Sequence, residues 1–312
     1  MNNYTLRTVL LVNKKAELES ELSQIPYDGT VEIKTIADKQ YLYIRKKVDN
    51  RTTSTYVGLY TLENYNALHR SSLRAKEIKK ELREINKELN KAGYEELELP
   101  VKVASSVKLA KHRLNRIIYS QALLEGMSLN YENVKPIIEN DVVKDMKPTD
   151  ILKIMNLKNA WNFILEKDII MSKIDLHLIS SIARIVNEGF YHELGILRTI
   201  PVAIGGCKYT PPIPNEQMAS KDVAKIFRRR KSDLDKAIDI CLYLIKNQLF
   251  NDGNKRTAII VANQYLIQKG RGLLIIPDKK VEQFRKLLVE YFDSNNRTKI
   301  NSFLKKCQLK PK

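Results

Sequence analysis

The chain has 312 residues, 43% of them apolar and 29% charged, which is ordinary globular material, enough for one large domain or two smaller ones. No apolar run approaches the roughly 18 residues of a membrane span. The start, MNNYTLRTVLLVNKKAELESE, has no signal-peptide cleavage site. Cys207, Cys241 and Cys307 are too scattered for a disulfide framework or a zinc site, so a soluble protein in a reducing cytoplasm is expected, with no membrane partner. His69, His112, His177 and His192 are singletons, expected as plain surface or core residues. The net charge of +18 sits almost wholly in residues 101–312, which hold 37 Lys and Arg against 21 Asp and Glu; residues 1–100 hold 17 against 15. Such an excess attracts phosphates of any kind, or acidic proteins.

In chain order, residues 16–25 are predicted as a short amphipathic helix with Leu18, Leu22 and Ile25 on one side. Residues 41–47 and 53–59 are aromatic and β-branched runs joined by Val48-Asp49-Asn50-Arg51, which predicts a β-hairpin. A long charged helix follows over 64–91, stopped by Gly93. Its Ile78, Leu82, Ile85, Leu89 and Ala92 form a short heptad seam, open either to a homodimer contact through the 64–92 helix or to packing back on the body. A linker at 95–103, holding Pro100, separates an N-terminal module (1–99) from a second domain (100–312).

Beyond it the pattern is mainly helical: 105–126, 131–140, 150–166 and 173–187, with Asn130, Thr149 and Ser172 in capping positions. A Gly- and Pro-rich break spans 194–214. Inside it Val202-Ala203-Ile204 and Cys207-Lys208-Tyr209 flank Gly205-Gly206, which predicts a small hairpin flap. Helices are expected again over 221–250, 254–269 and 279–292. The densest basic run, Arg228-Arg229-Arg230-Lys231, reads as a solvated helix face. Only Phe227 stands beside it, so nucleic acid is a conceivable partner for this charge but base reading there is not indicated.

The string that carries chemistry is Gln248-Leu249-Phe250-Asn251-Asp252-Gly253-Asn254-Lys255-Arg256-Thr257. Gly253 permits a tight backbone path, and the N–H groups of Asn254, Lys255 and Arg256 then point out of a helix N-terminus, a ready anion site. Lys255 and Arg256 add charge for phosphate oxygens. Asp252 would repel a phosphate unless a divalent cation such as Mg²⁺ lies between them. Phe250 is the apolar anchor. A helix-turn-helix corner broken at Asp-Gly accounts for the same string without a ligand.

QLFNDGNKRTA resembles the signature of the Fic/Doc (Fido) family, His-x-Phe-x-(Asp/Glu)-Gly-Asn-(Gly/Lys)-Arg. The resemblance extends to Gly195-Ile196-Leu197-Arg198 ahead of the flap sequence VAIGGCKYTPP, to Asn263, and to QALLEG at 121–126, which is similar to an inhibitory helix ending (Ser/Thr)-x-x-x-Glu-(Gly/Asn). It covers roughly residues 100–290. The N-terminal YLYIRKKVDNRTTSTYVG is also similar to a hairpin found ahead of some Fic domains. The resemblance implies a Fic-type helical bundle with a β-hairpin flap, ATP and Mg²⁺ as cofactors, and transfer of AMP or another phosphate-containing group to a hydroxyl of a target protein. It implies nucleotide contacts from Gly253, Asn254, Lys255, Arg256 and Asn263, a metal contact from Asp252, inhibition by Glu125, and a flap of Ile204, Gly205, Gly206 and Tyr209.

Three positions depart from the family pattern. The family's catalytic His is Gln248, whose carboxamide cannot take a proton near neutral pH, so a general-base contribution of about 10²–10⁴-fold is lost there. The signature's later Arg is Ile259, and the Ser/Thr of the inhibitory motif is Gln121. Two outcomes stand open: an adenylyltransferase-like enzyme of altered or slow activity, or a pseudoenzyme that binds a nucleotide, nucleic acid or protein as a regulator. Asp252 and His192 are the nearest candidates for a replacement base.

Overall fold

The computed structural model describes residues 6–25, 29–48, 51–94, 98–138, 146–190 and 194–311. The turn residues Asp49 and Asn50, the first part of the expected linker, and His192 lie outside the described residues. The chain divides into two compact units, residues 1–96 and 97–312. None of the described helices is long and apolar enough to cross a membrane.

In the first unit, α1 (Leu6–Gln24) begins ten residues before the predicted helix. A three-stranded antiparallel sheet follows, of β1 (Thr30–Ile36), β2 (Lys39–Val48) and β3 (Arg51–Leu59), in the order β1-β2-β3. The sequence reading found β2 and β3 but not β1. The reason is the turn: Ala37 and Asp38 link β1 to β2 with φ of 48° and 61°, a primed two-residue turn built without the usual Asn-Gly signal. Then α2 (Leu62–Lys91) starts at a Thr61 cap, whose side chain accepts from the Asn64 N–H at 3.1 Å. It lies antiparallel to α1, as Arg7–Glu88 at 2.9 Å near one end and a two-pronged Arg74–Glu21 pair at 2.6 and 2.9 Å toward the other require. Ala75, Ile78 and Leu89 of α2 are buried, as are Ala16 and Leu18 of α1.

The second unit is a helical bundle. Its helices are α3 (Val101–Leu124), α4 (Tyr131–Ile138), α5 (Pro148–Leu165), α6 (Lys167–Met171), α7 (Leu176–Val186), α8 (Glu216–Arg228), α9 (Asp233–Asn247), α10 (Asn254–Gln268), α11 (Val281–Ser294) and α12 (Thr298–Lys305). A short antiparallel pair, β4 (Leu273–Leu274) and β5 (Gln308–Leu309), closes it. At the centre stands α10, touching α3, α5, α6, α7 and α9. Between Asn254 and Ile267 only Lys255 escapes burial, so this helix has no polar stripe and can only be interior.

Three boundaries differ from the sequence reading. The expected 221–250 helix is two, because Ser232 caps a new start, accepting from the Asp235 N–H at 3.1 Å. Thr149 is not a cap: Pro148 opens α5. Ser172 ends α6, and Asp175 caps α7 by accepting from the Leu178 N–H at 3.1 Å. In all three, local chemistry allowed more than one start.

The flap is the main correction. Gly205-Gly206 does turn, with Gly206 at φ 83°, but residues 202–204 and 207–209 do not pair as strands. Pro201, Pro211 and Pro212 lack N–H donors, and Lys208 and Tyr209 find partners on α11. The Lys208 N–H donates to Asp293 at 2.9 Å, and the Tyr209 ring stacks on Phe292 at 6.3 Å between centroids.

Candidate functional site

The turn between α9 and α10 is built from the inside. Asn254, 5% exposed, braces it with both ends of its amide: Oδ1 accepts from the Phe250 N–H at 2.9 Å and Nδ2 donates to the Phe250 carbonyl at 2.7 Å. Phe250 and Leu249 are buried beneath. Asn187, just past α7, donates from Nδ2 to the Asp252 carbonyl at 2.9 Å. Gly253 has φ 71°, and a Cβ there would meet Asn187 Oδ1 at 2.7 Å and Val186 Cγ1 at 2.8 Å. No other residue fits that position.

The turn hands directly into α10. Thr257 is the first residue whose N–H bonds back within this segment, to the Gly253 carbonyl at 2.9 Å, and no side chain caps the helix start. The N–H groups of residues 254–256 are therefore free of intrahelical partners, with the positive end of the helix dipole behind them.

Four charged side chains converge at this place. Arg256 is 1% exposed; its Nη1 donates to the Val186 carbonyl at 3.0 Å and its Nη2 to Asp252 Oδ2 at 3.0 Å. Glu125 follows the last turn of α3. Its Oε2 lies 4.0 Å from Arg256 Nε, and its Oε1 lies 4.0 Å from Lys255 Nζ. Both gaps exceed hydrogen-bond length. Accordingly Glu125 Oε1 and Arg256 Nε are buried without a hydrogen-bond partner. Leaving such groups unmade costs about 1–3 kcal/mol each, so the two mark a place where a further polar group belongs. Arg285 of α11 fixes the carboxylate's approach by donating to the Leu123 and Leu124 carbonyls at the end of α3.

Gln248 caps α9 in the left-handed region at φ 47° and ψ 60°, which is costly for a residue with a Cβ. Two contacts hold it. Its Nε2 donates to the Ile245 carbonyl at 2.6 Å, and its own carbonyl accepts from Arg198 Nε at 2.6 Å. Arg198, 1% exposed, also donates to the carbonyls of Ile200, Pro211 and Pro212, and its N–H reaches the Leu249 carbonyl at 3.0 Å. It thus ties the base of the 194–215 segment to the α9 end of the turn. Burial pulls this guanidinium below its ordinary value, partly opposed by Tyr209, whose phenol burial pushes up.

The sequence-predicted residues therefore separate into four groups. Asp252, Gly253, Lys255, Arg256 and Glu125 come together, while Gln248 stands at the end of α9, where the turn begins. Asn254 is present but occupied as a brace. Asn263 lies elsewhere: fully buried, it donates to the carbonyls of Ile259 and Leu274 and accepts from the Leu274 N–H, which anchors β4 and leaves its amide no polar end for a nucleotide. Ile204, Gly205, Gly206 and Tyr209 belong to the segment that rests on α11. Ile259 is buried among the core residues of α10, and Gln121 Oε1 accepts from Trp161 Nε1 at 3.1 Å. The sequence reading missed Asn187 as a buttress, and the Gly-x-x-Arg spacing was the one signal that pointed to Arg198.

The donor set fits a nucleotide phosphate: Lys255, Arg256 with its unpartnered buried Nε, and three helix N–H groups. Among the described residues no group of three or more His, Cys, Asp or Glu could hold a metal ion. A divalent cation here would be shared between Asp252 and phosphate oxygens, as Mg²⁺ commonly is.

Residues 173–266 match the model of the Fic/DOC family, and residues 6–66 match a domain of unknown function, DUF6788. No curated protein matches the sequence. Among solved structures, Fic-1 from C. elegans aligns with a TM-score of 0.55 at 17% identity, over 80% of this chain and 76% of that one. A Fic domain containing signaling protein from Bacteroides thetaiotaomicron gives 0.55 at 16% identity over 67% and 87%. A Fic family protein from Desulfovibrio desulfuricans gives 0.50 at 14% over 67% and 72%. At such identities the structural likeness speaks for the fold.

Proposed function

We propose, from the premise that the chain carries a Fic/DOC-family domain, that it binds ATP at the Asp252–Arg256 turn and transfers AMP or another phosphate-containing group to a protein hydroxyl. The observation that carries this reading is the convergence of Lys255, Arg256 and the α10 N-terminus on one place, with Arg256 Nε left unpartnered. Lys255 and the helix N–H groups would hold phosphate oxygens, and Arg256 would do so while keeping Asp252 oriented. A bound Mg²⁺ would neutralise phosphate charge beside Asp252.

Gln248 takes a different part from a catalytic base. With Nε2 engaged by Ile245, its Oε1 is the end left to accept a hydrogen bond from an incoming hydroxyl. That orients the hydroxyl without removing its proton. Positioning and charge stabilisation survive, while base catalysis does not. Glu125 faces both cations and so opposes phosphate entry until it moves aside. Binding without turnover is the second reading, favoured by the same occupied Gln248 amide. A reducing compartment suits the three free cysteines, of which Cys241 and Cys307 are buried.

The test is transfer of label from ATP with Mg²⁺ to the protein itself or to a cell lysate. Gln248→His should raise labelling by roughly ten-fold or more, toward the range of one general base. A wild type that labels quickly and loses this on Gln248→His would show that Gln248 serves a different chemistry. Binding with no labelling by either protein favours the second reading.

A further inference from the structure

The outward face of the N-terminal sheet is not the polar surface that a one-sided antiparallel sheet ordinarily shows to water. Leu42 and Ile44 are buried on one side. Cross-strand partners share a face, so the pairs Tyr43↔Tyr56 and Tyr41↔Leu59 put three tyrosines together on the other. Their rings form one array, with the Tyr56 centroid 6.0 Å from Tyr41 and 5.6 Å from Tyr43. Tyr56 is 53% exposed and Leu59 55%.

Cations are interleaved with these rings. The pair Lys34↔Tyr41 brings Lys34 to the same face, where its Nζ lies 4.5 Å from the Tyr43 centroid and donates to Ser54 Oγ at 3.0 Å. Arg45 pairs with Ser54 and Lys39 with Ile36, so both stand on this face, and both are exposed. Glu32 is the acid among them. A net charge this small binds a polyanion weakly on its own. Rings alone would suit any apolar partner. The two together have one matching chemistry.

We propose that this face is a platform for single-stranded nucleic acid. Bases stack on the exposed ring of Tyr56, with half-buried Tyr41 beside it, and Lys34, Lys39 and Arg45 meet the phosphates between them. A duplex hides its base faces and has no use for such rings. The proposal is independent of the nucleotide site.

The test is fluorescence anisotropy of the full chain with short labelled RNA and DNA oligonucleotides, single-stranded and duplex, because the basic second unit will bind all of them to some extent. Tyr56→Ala should weaken single-strand binding by about five-fold or more, the low end of stacking one base on one ring, and leave duplex binding unchanged. Tyr56→Phe keeps the ring and should keep the affinity. Arg45→Glu should weaken single-strand binding and reduce its salt dependence. A 4-thiouridine strand should crosslink within residues 41–59. Equal single-strand affinity in wild type and Tyr56→Ala, both with native circular dichroism, would overturn the proposal. So would polyglutamate binding as tightly as the oligonucleotides, which would assign the face to an acidic protein.

Discussion

At the scale of single residues the site depends on positions where one atom decides. Gly253→Ala would place a Cβ against Asn187 and Val186 at a left-handed φ. The strain and displaced buttress should cost about 1–3 kcal/mol, read as a lower melting temperature, and nucleotide binding should fall with it. A melting temperature unchanged by Gly253→Ala would show that the turn is looser than its contacts indicate. Asp252, Gly253, Lys255 and Arg256 were legible in sequence because their placement depends only on local spacing at a helix start. The side-chain roles of Asn254 and Asn263 were not. An amide can serve a ligand or a backbone equally well, and the choice rests on Phe250 in one case and on Leu274, eleven residues away, in the other. Gln121 was likewise legible as a departure but not as the partner of Trp161.

At the scale of elements, α9 carries a dense electrostatic arrangement outside the site. Asp239 is 4% exposed and meets Lys231 Nζ at 2.7 Å, Arg229 Nη1 at 3.5 Å and Arg297 Nη2 at 2.5 Å. Burial pushes its carboxyl up, but Lys231 and Arg297 outweigh this and hold it below the usual carboxylate range. Asp235 is lowered as well, first by Lys305 and then by Ser232. A folded pKa below the unfolded value of about 3.9 contributes stability above that pH and loses it as pH falls through the folded pKa. Thermal melting should therefore drop as pH falls below about 4. Asp239→Asn should flatten this acid limb and cost about 3 kcal/mol at neutral pH, the low end for a broken buried pair because its cations are partly solvated. An unaltered acid limb in that variant would assign it to other carboxylates. The basic run at 228–231 is thus not only a solvated face, since Arg229 and Lys231 pin the α8–α9 corner. The sequence showed the run but not the corner, because Asp239 is indistinguishable from any helical Asp until α9 is placed. The same limit hid β1, whose turn lacks a glycine, and the absent flap ladder, where the Lys208 N–H bonds to Asp293 of α11 instead.

For the whole molecule, the mainly helical class and two of the three N-terminal strands followed from periodicity and turn residues, and the bundle from the family resemblance. The burial of α10 on nearly every face was not evident from its own pattern, which mixes apolar residues with Asn263, Gln264 and Arg256. Each of these finds its partner only once the other helices surround it. That enclosure seats the Asp252–Arg256 turn on the core, so a ligand bound there would be coupled to the stability of the second unit. ATP with Mg²⁺ should stabilise the folded protein by linkage, by about 2.7 kcal/mol at a hundred-fold excess over the dissociation constant. The measurement is thermal melting of the full chain with and without millimolar ATP and Mg²⁺. The ligand-induced rise should be present in wild type, absent in Arg256→Ala, and larger in Glu125→Gly, where the carboxylate facing Lys255 and Arg256 is gone. Melting unchanged by ATP and Mg²⁺ in both the wild type and Glu125→Gly would contradict the account of this turn as a nucleotide site.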